Sequence, residues 1–421
     1  MHFLYLAYYY PPCNSVSSYR PLSHVKSFLK AGHKVTVITR QWQGNERGWM
    51  DYIKGDERPA TMHTEGNLNI YYLPYRAPDS TKRKSLFSKI HFFMQYAKGN
   101  FHPEIDASKV IFKKANEIAQ KEKIDCIIIS SPPLNLLKIG HKLSLRYKTR
   151  LVADFRDLWN SNLLVKNYRF GFSEKLKNRF CALYFRKWTK GPHVMVTTVS
   201  GVLADILSKQ NGKKTGIFFN GYEDELLALA TKKTYPKFTF SSIGTLYAFY
   251  NIDNMVEGLN LFLKNKSPEK ISLCFIGITA VPEVAKRISD ALPAPFLRIS
   301  DRIPKTEALE ILKSSHVLFH SAVKEFEGAY TTKIFDYVGS GNNILLSPGD
   351  DGGIIDTLVI ETRTGKIAKT PEEFAGILQT WYDEWESGKT IHYEGISSKI
   401  SFYSRSVQAH NFTQSVLNWL T

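Results

Sequence analysis

The chain has 421 residues, 43% of them hydrophobic and 23% charged, and this balance excludes a disordered, collagen-like or coiled-coil protein. Its formal net charge of +17 predicts an anionic partner: a lipid leaflet, a nucleic acid or an anionic substrate. The 4 cysteines are scattered without a CxxC pair, which argues against a disulfide framework or a zinc site and favours a reducing cytoplasm. We expect neither a membrane-spanning helix nor a signal peptide, because no apolar run is long enough and residues 1–7 indicate a buried strand.

The positive charge is concentrated in the first half of the chain. Residues 1–200 contain 33 Lys and Arg against 14 Asp and Glu, whereas residues 201–421 contain 23 and 25. The excess of positive charge therefore lies entirely before residue 200. This asymmetry predicts two parts of the protein that meet different partners.

Short apolar runs alternate with helical stretches along the whole chain. In the first half, the predicted strands are 2–9, 34–39, 68–73, 125–130, 150–155, 194–199 and 215–219, and the helices between them include 19–30, 107–121 and 134–147. In the second half, the predicted strands are 238–243, 271–276, 295–299, 316–319 and 343–346, and the helices are 253–263, 281–291, 305–313 and 331–338. The alternation predicts parallel sheets with helices on both faces.

Two successive units of this kind predict an α/β protein with two doubly wound, Rossmann-like domains. We place the first domain at 1–222, the second at 223–400 and a C-terminal helix at 401–421. Ligands of such folds bind beyond the carboxyl ends of the strands, and two such domains normally face each other across a cleft. The loops that follow strands are therefore where functional residues are expected.

Two strand ends in the first half carry candidate binding residues. The loop after the first strand and the helix behind it contribute small polar and basic side chains that suit an anion: Asn14, Ser15 and Arg20. The end of the strand 150–155 carries a cluster of charges: Asp154, Arg156 and Asp157. An internal ion pair of Arg156 with one of the two aspartates would explain this cluster without a function. A catalytic or substrate-holding site is the other explanation.

The densest candidate site lies in the second half, where residues 325–341 pass through Gly328 into a helix. Free N–H groups at that helix start, two hydroxyls and a cation would together bind a diphosphate, and they come from Thr331, Thr332 and Lys333. Asp336 follows about one turn later, where a carboxylate suits the vicinal hydroxyls of a sugar. Gly244 ends the first strand of this half and would let a ligand approach the backbone.

Seven segments, taken in order, resemble the retaining GT-B glycosyltransferases of family 4, and most closely the bacterial members that act in surface-polysaccharide assembly. They are GHKVTVIT at 32–39, SPP at 131–133, DFRDLW at 154–159, TVS at 198–200, NGY at 220–222, GTLY at 244–247 and TKIFDY at 332–337 with Gly341. Each segment alone is unspecific, but their order and spacing are specific. The resemblance covers nearly the whole chain.

The resemblance implies that the protein moves a sugar from a nucleotide-diphosphate sugar to an acceptor hydroxyl with retention, without a metal or other cofactor. It implies catalytic roles for Glu327, Lys333 and Asp157. It implies donor binding by Gly244, Thr245, Tyr330, Thr331, Thr332, Lys333 and Asp336. It implies acceptor binding by Asn14, Ser15, Arg20, Asp154 and Arg156. The C-terminal helix is expected to cross back to the first domain.

The sequence departs from the family pattern at two points. The family carries two glutamates with seven residues between them, whereas here the second position is Asp336 and Glu327 is offset from the first. The family also carries an Arg and a Lys after the GTLY-type loop, whereas residues 248–253 contain neither. Lys333 is the cation that we expect to act in their place.

Two basic, amphipathic segments, 81–99 and 173–188, give the positive half of the chain a candidate partner. Aromatic and aliphatic side chains recur at helical spacing in both and are accompanied by Lys and Arg. We predict peripheral attachment to the inner face of the plasma membrane, with a lipid-linked or oligosaccharide acceptor. The alternative is that the apolar stripes simply pack on the sheet.

Other functions remain open or are disfavoured on specific grounds. Nucleic-acid binding is disfavoured because no recognised motif and no single basic tract is present. An NAD-dependent dehydrogenase lacks its GxGxxG fingerprint in this sequence. A catalytically degenerate nucleotide-sugar-binding protein and a nucleotide-sugar epimerase are the alternatives that the sequence leaves open.

Overall fold

The computed structural model describes residues 1–46, 49–77, 86–101, 107–228, 234–323, 325–328 and 330–421. The chain forms two compact units. The first comprises Met1–Phe219 and Gln408–Thr421, and the second comprises Asn220–Val407. The sequence places the two breaks after residues 222 and 400, close to the points where the chain leaves and re-enters the first unit.

Among the described residues, the first unit contains an eight-stranded sheet. Its strands are β1 His2–Ala7, β2 Lys34–Arg40, β3 Thr61–Glu65, β4 Leu68–Leu73, β5 Cys126–Ser131, β6 Arg150–Phe155, β7 Val194–Thr198 and β8 Gly216–Ile217. Their order is β3-β4-β2-β1-β5-β6-β7-β8, with all pairs parallel except β3 and β4. The helices are α1 Tyr19–Lys30, α2 Trp49–Tyr52, α3 Leu86–Ala97, α4 Ser108–Lys121, α5 Asn135–Tyr147, α6 Phe172–Thr189 and α7 Gly201–Asn211.

The central strands of this sheet are apolar because helices cover both of their faces. Every residue of β1 and of β5 is buried, as expected for interior strands of a parallel sheet. The edge strand β3 is exposed along its whole length and pairs antiparallel with β4. Its polar sequence, TMHTE, carries no apolar run, and for that reason the sequence analysis missed it.

The second unit contains a six-stranded parallel sheet within its described residues. Its strands are β9 Phe238–Ile243, β10 Ile271–Ile276, β11 Leu297–Ser300, β12 Val317–His320, β13 Asn343–Leu346 and β14 Gly365–Ile367, in the order β11-β10-β9-β12-β13-β14. The helices are α8 Glu225–Ala228, α9 Asp253–Leu263, α10 Pro282–Ala291, α11 Lys305–Ser314, α12 Thr332–Ser340, α13 Ile354–Thr362, α14 Pro371–Glu386 and α15 Ser397–Phe402. The prediction of an α/β fold with two doubly wound sheets is confirmed, although β14, α8, α13, α14 and α15 were not predicted.

Helix α14 packs tightly on α9 because α9 carries a glycine at the contact. A Cβ atom at Gly258 would lie 2.6 Å from Cδ1 of Phe374. The ring of Phe374 is fully buried in the apolar core that α9 and α14 share with β9, β10 and β12. Any side chain at Gly258 would therefore displace α14 from the sheet.

The last helix, α16 Arg405–Leu420, brings the chain back to the first unit, as the family resemblance implies. The ring of Phe412 is buried and stacks on His24 of α1, with centroids 3.8 Å apart. The hydroxyl of Thr413 lies 2.8 Å from that of Ser27. These contacts make residues 408–421 part of the first unit's core.

The four cysteines are free and buried. No helix in the described part of the chain is long and apolar enough to cross a membrane.

Candidate functional site

The second unit brings several predicted donor-site residues together at the carboxyl ends of its strands. Gly244 and Thr245 follow β9 directly, and Lys333 lies in the first turn of α12. The ammonium group of Lys333 donates a hydrogen bond of 2.7 Å to the carbonyl oxygen of Thr245. A Cβ atom at Gly244, whose φ is +90°, would lie 3.0 Å from Cδ of Lys333. Glycine is therefore required there by its backbone conformation and by the lysine that covers it.

Lys333 is held in an environment that disfavours its charge. Burial, followed by the positive charge of Arg302, lowers the pKa of Lys333 from its usual value to about 8. Its ammonium group also lies 5.8 Å from the centre of the Tyr250 ring. An anion at this position would raise the pKa of Lys333 again.

The N-terminus of α12 presents a helix start that its own cap residue leaves open. Thr331 has the extended backbone of an N-cap, but its side chain makes no capping hydrogen bond. Its hydroxyl lies 3.5 Å from Nε2 of His320, at the end of β12. Burial, followed by the charge of Lys333, lowers the pKa of His320 to about 3, so this imidazole is neutral at physiological pH. Thr331 and Thr332 are both partly exposed.

Asp336 lies further along α12 and is engaged by both of its carboxylate oxygens. Oδ2 accepts a hydrogen bond of 2.6 Å from the ammonium of Lys305, at the start of α11. Oδ1 accepts a longer one, of 3.4 Å, from the backbone N–H of Glu223. The predicted ribose-binding carboxylate is therefore already paired with a cation.

The remaining predicted donor-site residues lie in the segment between β12 and α12. Glu327 is exposed. Tyr330 is partly buried and its ring packs on Phe335, with centroids 5.0 Å apart. Burial raises the pKa of Tyr330 far above its usual value, so its hydroxyl stays protonated. The catalytic assignment of Glu327 stays a prediction.

In the first unit, the predicted residues Arg20 and Asp154 are bonded to each other rather than presented at the surface. Nε and Nη2 of Arg20 donate to the two carboxylate oxygens of Asp154 at 2.7 and 2.8 Å. Asp154 also accepts from the hydroxyl of Thr197, and Arg20 also donates to the carbonyl of Phe218. Both side chains are buried, with exposed fractions of 4% and 0%. Burial raises the pKa of Asp154, but the opposing charge and hydrogen bonds of Arg20 outweigh it, and the net shift is downward.

Arg156 and Asp157 differ from that pair. The guanidinium carbon of Arg156 lies 5.5 Å from the centre of the Tyr9 ring. Its Nε is buried and has no hydrogen-bond partner among the residues that the structure describes. Asp157 is exposed. The ion pair within this cluster that the sequence analysis considered is not formed, because Asp154 turns to Arg20 instead.

Asn14 and Ser15 lie in a loop that a carboxylate organises. The backbone N–H of Asn14 donates to Glu46 at 3.0 Å, and its side-chain amide donates to the carbonyl of the same residue at 3.3 Å. The hydroxyl of Ser15 caps the short turn before α1 by accepting from Ser17 N–H. This loop follows the carboxyl end of β1 and leads into α1.

The acidic segment GDDG, residues 349–352, forms a turn that is closed by its own hydrogen bonds. The carboxylates of Asp350 and Asp356 each accept the backbone N–H of the other residue at 2.9 Å. A cavity of about 380 Å³ opens at the carboxyl edge between Phe249, Asn251 and Pro348, but Thr245 and Lys333 are not among its lining residues. Within the described residues, no cluster of three His, Cys, Asp or Glu side chains could hold a metal ion.

The sequence does not predict three residues of this site: Arg302, Lys305 and His320. Nη2 of Arg302 donates a hydrogen bond of 2.9 Å to the hydroxyl of Thr245. Arg302 lies in the loop after β11, Lys305 begins α11, and His320 ends β12. The rule that ligands bind beyond strand ends points to these positions, but no glycine or motif in 301–305 draws attention to them.

The two predicted basic helices pack on each other in the first unit. The rings of Phe93 and Phe180 are 5.7 Å apart, and the hydroxyl of Tyr184 donates to the carbonyl of Ala97 at 2.7 Å. In the segment 173–188, helical spacing puts Leu183 on the apolar side with Phe180 and Trp188. Leu183 is exposed instead, because Cys181, Phe185 and Trp188 form the buried side of α6. The basic residues at the start of the segment 81–99 lie outside the described residues: Lys82, Arg83 and Lys84.

Comparison with solved structures shows what the whole chain is similar to. An α,α-trehalose-phosphate synthase (UDP-forming) from Burkholderia vietnamiensis superposes with a TM-score of 0.63 at 11% identity, covering 100% of this chain and 99% of that one. The fold of this chain is GT-B. A glycosyltransferase from Rickettsia africae gives a TM-score of 0.61 at 12% identity, with coverage of 100% and 99%. A putative UDP-N-acetylglucosamine 2-epimerase from Listeria monocytogenes gives 0.55 at 12%, with coverage of 98% and 95%.

The likeness to these structures concerns the fold alone, because fewer than one residue in five is identical. No protein-family model matches the chain, and no curated protein matches it by sequence.

Proposed function

We propose that this GT-B protein is a glycosyltransferase that moves a sugar from a nucleotide-diphosphate sugar to an acceptor hydroxyl. The observation that carries the proposal is the meeting of Lys333, the Gly244–Thr245 turn and the start of α12 at one edge of the second sheet. A cation, backbone N–H groups and a glycine turn are what a diphosphate needs. We further propose membership of family 4, retention at the anomeric carbon and a role in bacterial surface-polysaccharide assembly, which the sequence motifs support.

Catalysis of this transfer depends more on stabilising the diphosphate than on a nucleophile of the protein. When the bond between the anomeric carbon of the donor sugar and the diphosphate breaks, negative charge develops on the departing diphosphate. Lys333 and the N–H groups at the start of α12 would stabilise that charge more in the transition state than in the ground state. Thr331 and Thr332 would add hydroxyl donors at the same place. Transfer would then need no bound metal, and activity should persist in a chelator.

The sugar-side roles follow from position. Asp336 would accept the ribose hydroxyls while remaining paired with Lys305, because a carboxylate has acceptor capacity for more than one partner. Glu327, in the segment before α12, would lie on the side of the donor sugar. Tyr330 would form part of the pocket, where its hydroxyl stays protonated and so can donate a hydrogen bond.

The acceptor would lie on the first unit, at the carboxyl edge of its sheet. Asn14, Ser15 and Arg156 are the candidate contacts, and the exposed Asp157 is the candidate group for handling the acceptor proton. In this proposal the Arg20–Asp154 ion pair holds α1 against β6 and β7, and so fixes the loop that carries Asn14 and Ser15.

A thermal-shift screen followed by a transfer assay tests the proposal. Purified protein is heated with UDP, GDP, ADP, CMP and NAD and with the common sugar conjugates of the nucleotides. A ligand at 100 times its dissociation constant stabilises the folded state by about 2.7 kcal/mol, which a shift in unfolding temperature detects. Stabilisation by one nucleoside diphosphate, followed by sugar transfer from its conjugate, is the expected result.

The alternatives predict different products. A degenerate binding protein would show the shift without transfer or hydrolysis. An epimerase would convert the nucleotide sugar into its epimer without any acceptor. We retain this candidate because the putative epimerase from Listeria monocytogenes has a similar fold, with a TM-score of 0.55. Stabilisation by NAD alone would contradict the proposal altogether.

We also propose that the protein attaches peripherally to the anionic inner face of the plasma membrane, where a lipid-linked acceptor would lie. Helices α3 and α6 expose apolar side chains beside cations: Ile90, Met94, Phe172 and Leu183, with Lys98, Lys175, Arg179, Arg186 and Lys187. Phe172 is 83% exposed and, with the other exposed apolar side chains of these helices, adds to the apolar area of this surface. A basic face with protruding aromatic and aliphatic groups suits an anionic leaflet.

Sedimentation with vesicles measures this attachment. Binding to vesicles with anionic lipid, and none to neutral vesicles at low salt, is expected. The double variant Phe172→Ser/Leu183→Ser should lose most of the binding. The matched control is Leu145→Ser, another exposed leucine of the first unit, on α5, which should bind like the wild type. Equal binding to neutral and anionic vesicles would refute attachment through an anionic leaflet, and binding to neither would refute attachment altogether.

A further inference from the structure

Two cations from different elements converge on one residue of the second unit. Thr245 receives the guanidinium of Arg302 on its hydroxyl, at 2.9 Å, and the ammonium of Lys333 on its carbonyl, at 2.7 Å. Arg302 comes from the loop between β11 and α11, whereas Lys333 comes from α12. Helix α12 follows β12, and β11 and β12 lie on opposite sides of β9 in the sheet. The two side chains therefore reach Thr245 from opposite directions.

Two glycines lie beside the side chains that converge on Thr245. A Cβ atom at Gly277, at the end of β10, would lie 3.5 Å from Cγ of Arg302 and 3.4 Å from Cα of Gly244. A Cβ atom at Gly244 would lie 3.0 Å from Cδ of Lys333. Both glycines have positive φ, +81° and +90°, a conformation that other residues rarely adopt. Lys333 therefore passes so close to Gly244 that a side chain there would crowd it, whereas Gly277 meets Arg302 at an ordinary contact distance and is favoured by its backbone conformation.

The two cations also act on each other. After burial, the charge of Arg302 is the second cause that lowers the pKa of Lys333. Holding like charges together is unfavourable, and a polyvalent anion that contacts both removes the penalty. A guanidinium offers a planar set of donors that matches phosphate oxygens, and an ammonium offers a compact charge beside it.

We propose that Arg302 and Lys333 together form the diphosphate-binding pair of this protein, with the arginine supplied by the loop after β11. The segment after β9, residues 248–253, contains no Arg or Lys that could act there. The inference rests on the proposed function for the ligand's identity, a nucleoside diphosphate. Its core, a pyrophosphate group held by these two side chains, can be tested without any sugar.

Calorimetry with the full chain tests the pair. The titrants are pyrophosphate, UDP, GDP and ADP, and the variants are Arg302→Gln, Arg302→Lys and Lys333→Gln. Loss of one charged hydrogen-bonding partner should weaken binding of pyrophosphate and of the favoured diphosphate roughly 10- to 100-fold. Arg302→Lys should recover part of the affinity, because the charge remains but the planar donor set is lost. The matched control is Arg298→Gln, an exposed arginine of β11, which should bind like the wild type.

A measurement on the wild type covers the case in which a variant does not fold. Arg302 is exposed and should react with phenylglyoxal, as should Arg298. Pyrophosphate should protect Arg302 several-fold and leave Arg298 unprotected, as read by peptide mass spectrometry.

The outcomes separate this inference from the proposed function. If nucleotides bind and Lys333→Gln weakens them while both Arg302 variants bind normally, the inference is wrong and the proposed function stands. If pyrophosphate binds through Arg302 but no nucleotide does, the inference holds and the proposed function fails. If pyrophosphate neither binds nor protects Arg302, the inference is overturned whatever the nucleotides do.

Discussion

The two sheets carry charge at their carboxyl edges in opposite ways. In the first unit, Arg20 and Asp154 form a buried, bidentate ion pair, so each charge is neutralised within the fold. In the second unit, Arg302 and Lys333 meet at one neutral residue, Thr245, and the charge of one disfavours that of the other. A charge at a strand end is thus not a sign of a ligand site in itself. The sign of the neighbouring charge decides: a carboxylate neutralises the cation, whereas a second cation favours the binding of an anion.

Breaking the ion pair of the first unit should have the largest effect. Asp154→Asn leaves the Arg20 guanidinium buried without its counter-charge, which should cost about 3–5 kcal/mol of unfolding free energy. Urea unfolding, followed by hydrogen exchange in peptides of β6 and β7, measures the loss in the first unit. The control is Asp157→Asn, an exposed aspartate three positions further on, which should stay within about 0.5 kcal/mol of the wild type.

The variant Asp154→Asn can also contradict this contrast between the two units. If Asp154→Asn folds with wild-type stability and loses only acceptor binding, then the pair belongs to the acceptor site, as the sequence resemblance implies, and the first unit also offers its charges to a ligand.

On the second sheet, Lys333→Ala should lower the rate of sugar transfer at least roughly tenfold, the scale expected when one charge-stabilising group is lost. The reason is that the ammonium would stabilise the departing diphosphate. Steady-state kinetics with the donor identified by the screen measures it. Lys264→Ala removes an exposed lysine at the end of α9 and should leave the rate unchanged. A wild-type rate in Lys333→Ala would remove this residue from the mechanism.

The sequence could predict the second site in part. The TKIFDY segment and the glycine after β9 are local patterns that predict Lys333 and Gly244 as donor-site residues, and the structure places both at the same edge of the sheet. Arg302 could not be found that way, because its contact with Thr245 depends on β11 lying two strands away from β9, with only β10 between them. Sheet order is a property of the folded chain.

The first site shows the same limit from the other side. Local sequence suggested that Asp154 or Asp157 pairs with Arg156, since these residues are adjacent. The structure instead pairs Asp154 with Arg20, which comes from α1 early in the chain. A buried carboxylate takes the partner that the packing of α1 on the sheet delivers, and adjacency along a strand turns neighbouring side chains to opposite faces.

The pH dependence of diphosphate binding should sharpen the contrast. Because burial and Arg302 lower the pKa of Lys333 to about 8, the protonated, binding-competent form is lost as pH rises through that value. If only this form binds, affinity should fall roughly tenfold between pH 7 and pH 9. Calorimetry at several pH values, with proton uptake on binding near pH 8, is the measurement.

Two variants check the cause of that pH dependence. Lys333→Arg should flatten the profile, because a guanidinium keeps its charge over this range. Arg302→Gln should move the fall in affinity to higher pH, because it removes a charge that lowers the pKa of Lys333. A profile that neither substitution alters would mean that another group titrates.

The smallest effect is expected from the glycine that lies under Lys333. Gly244→Ala forces an L-residue to adopt φ of +90° and places a Cβ atom 3.0 Å from Cδ of Lys333. The backbone cost should be about 1–2 kcal/mol, and the flexible lysine can shift to relieve the contact, so we expect diphosphate affinity to weaken only a few-fold. Calorimetry measures this, with Gly376→Ala on α14, where a Cβ atom meets nothing within 4 Å, as the control. A loss as large as that in Lys333→Ala would show that the backbone turn itself, rather than the cation above it, is the main diphosphate contact.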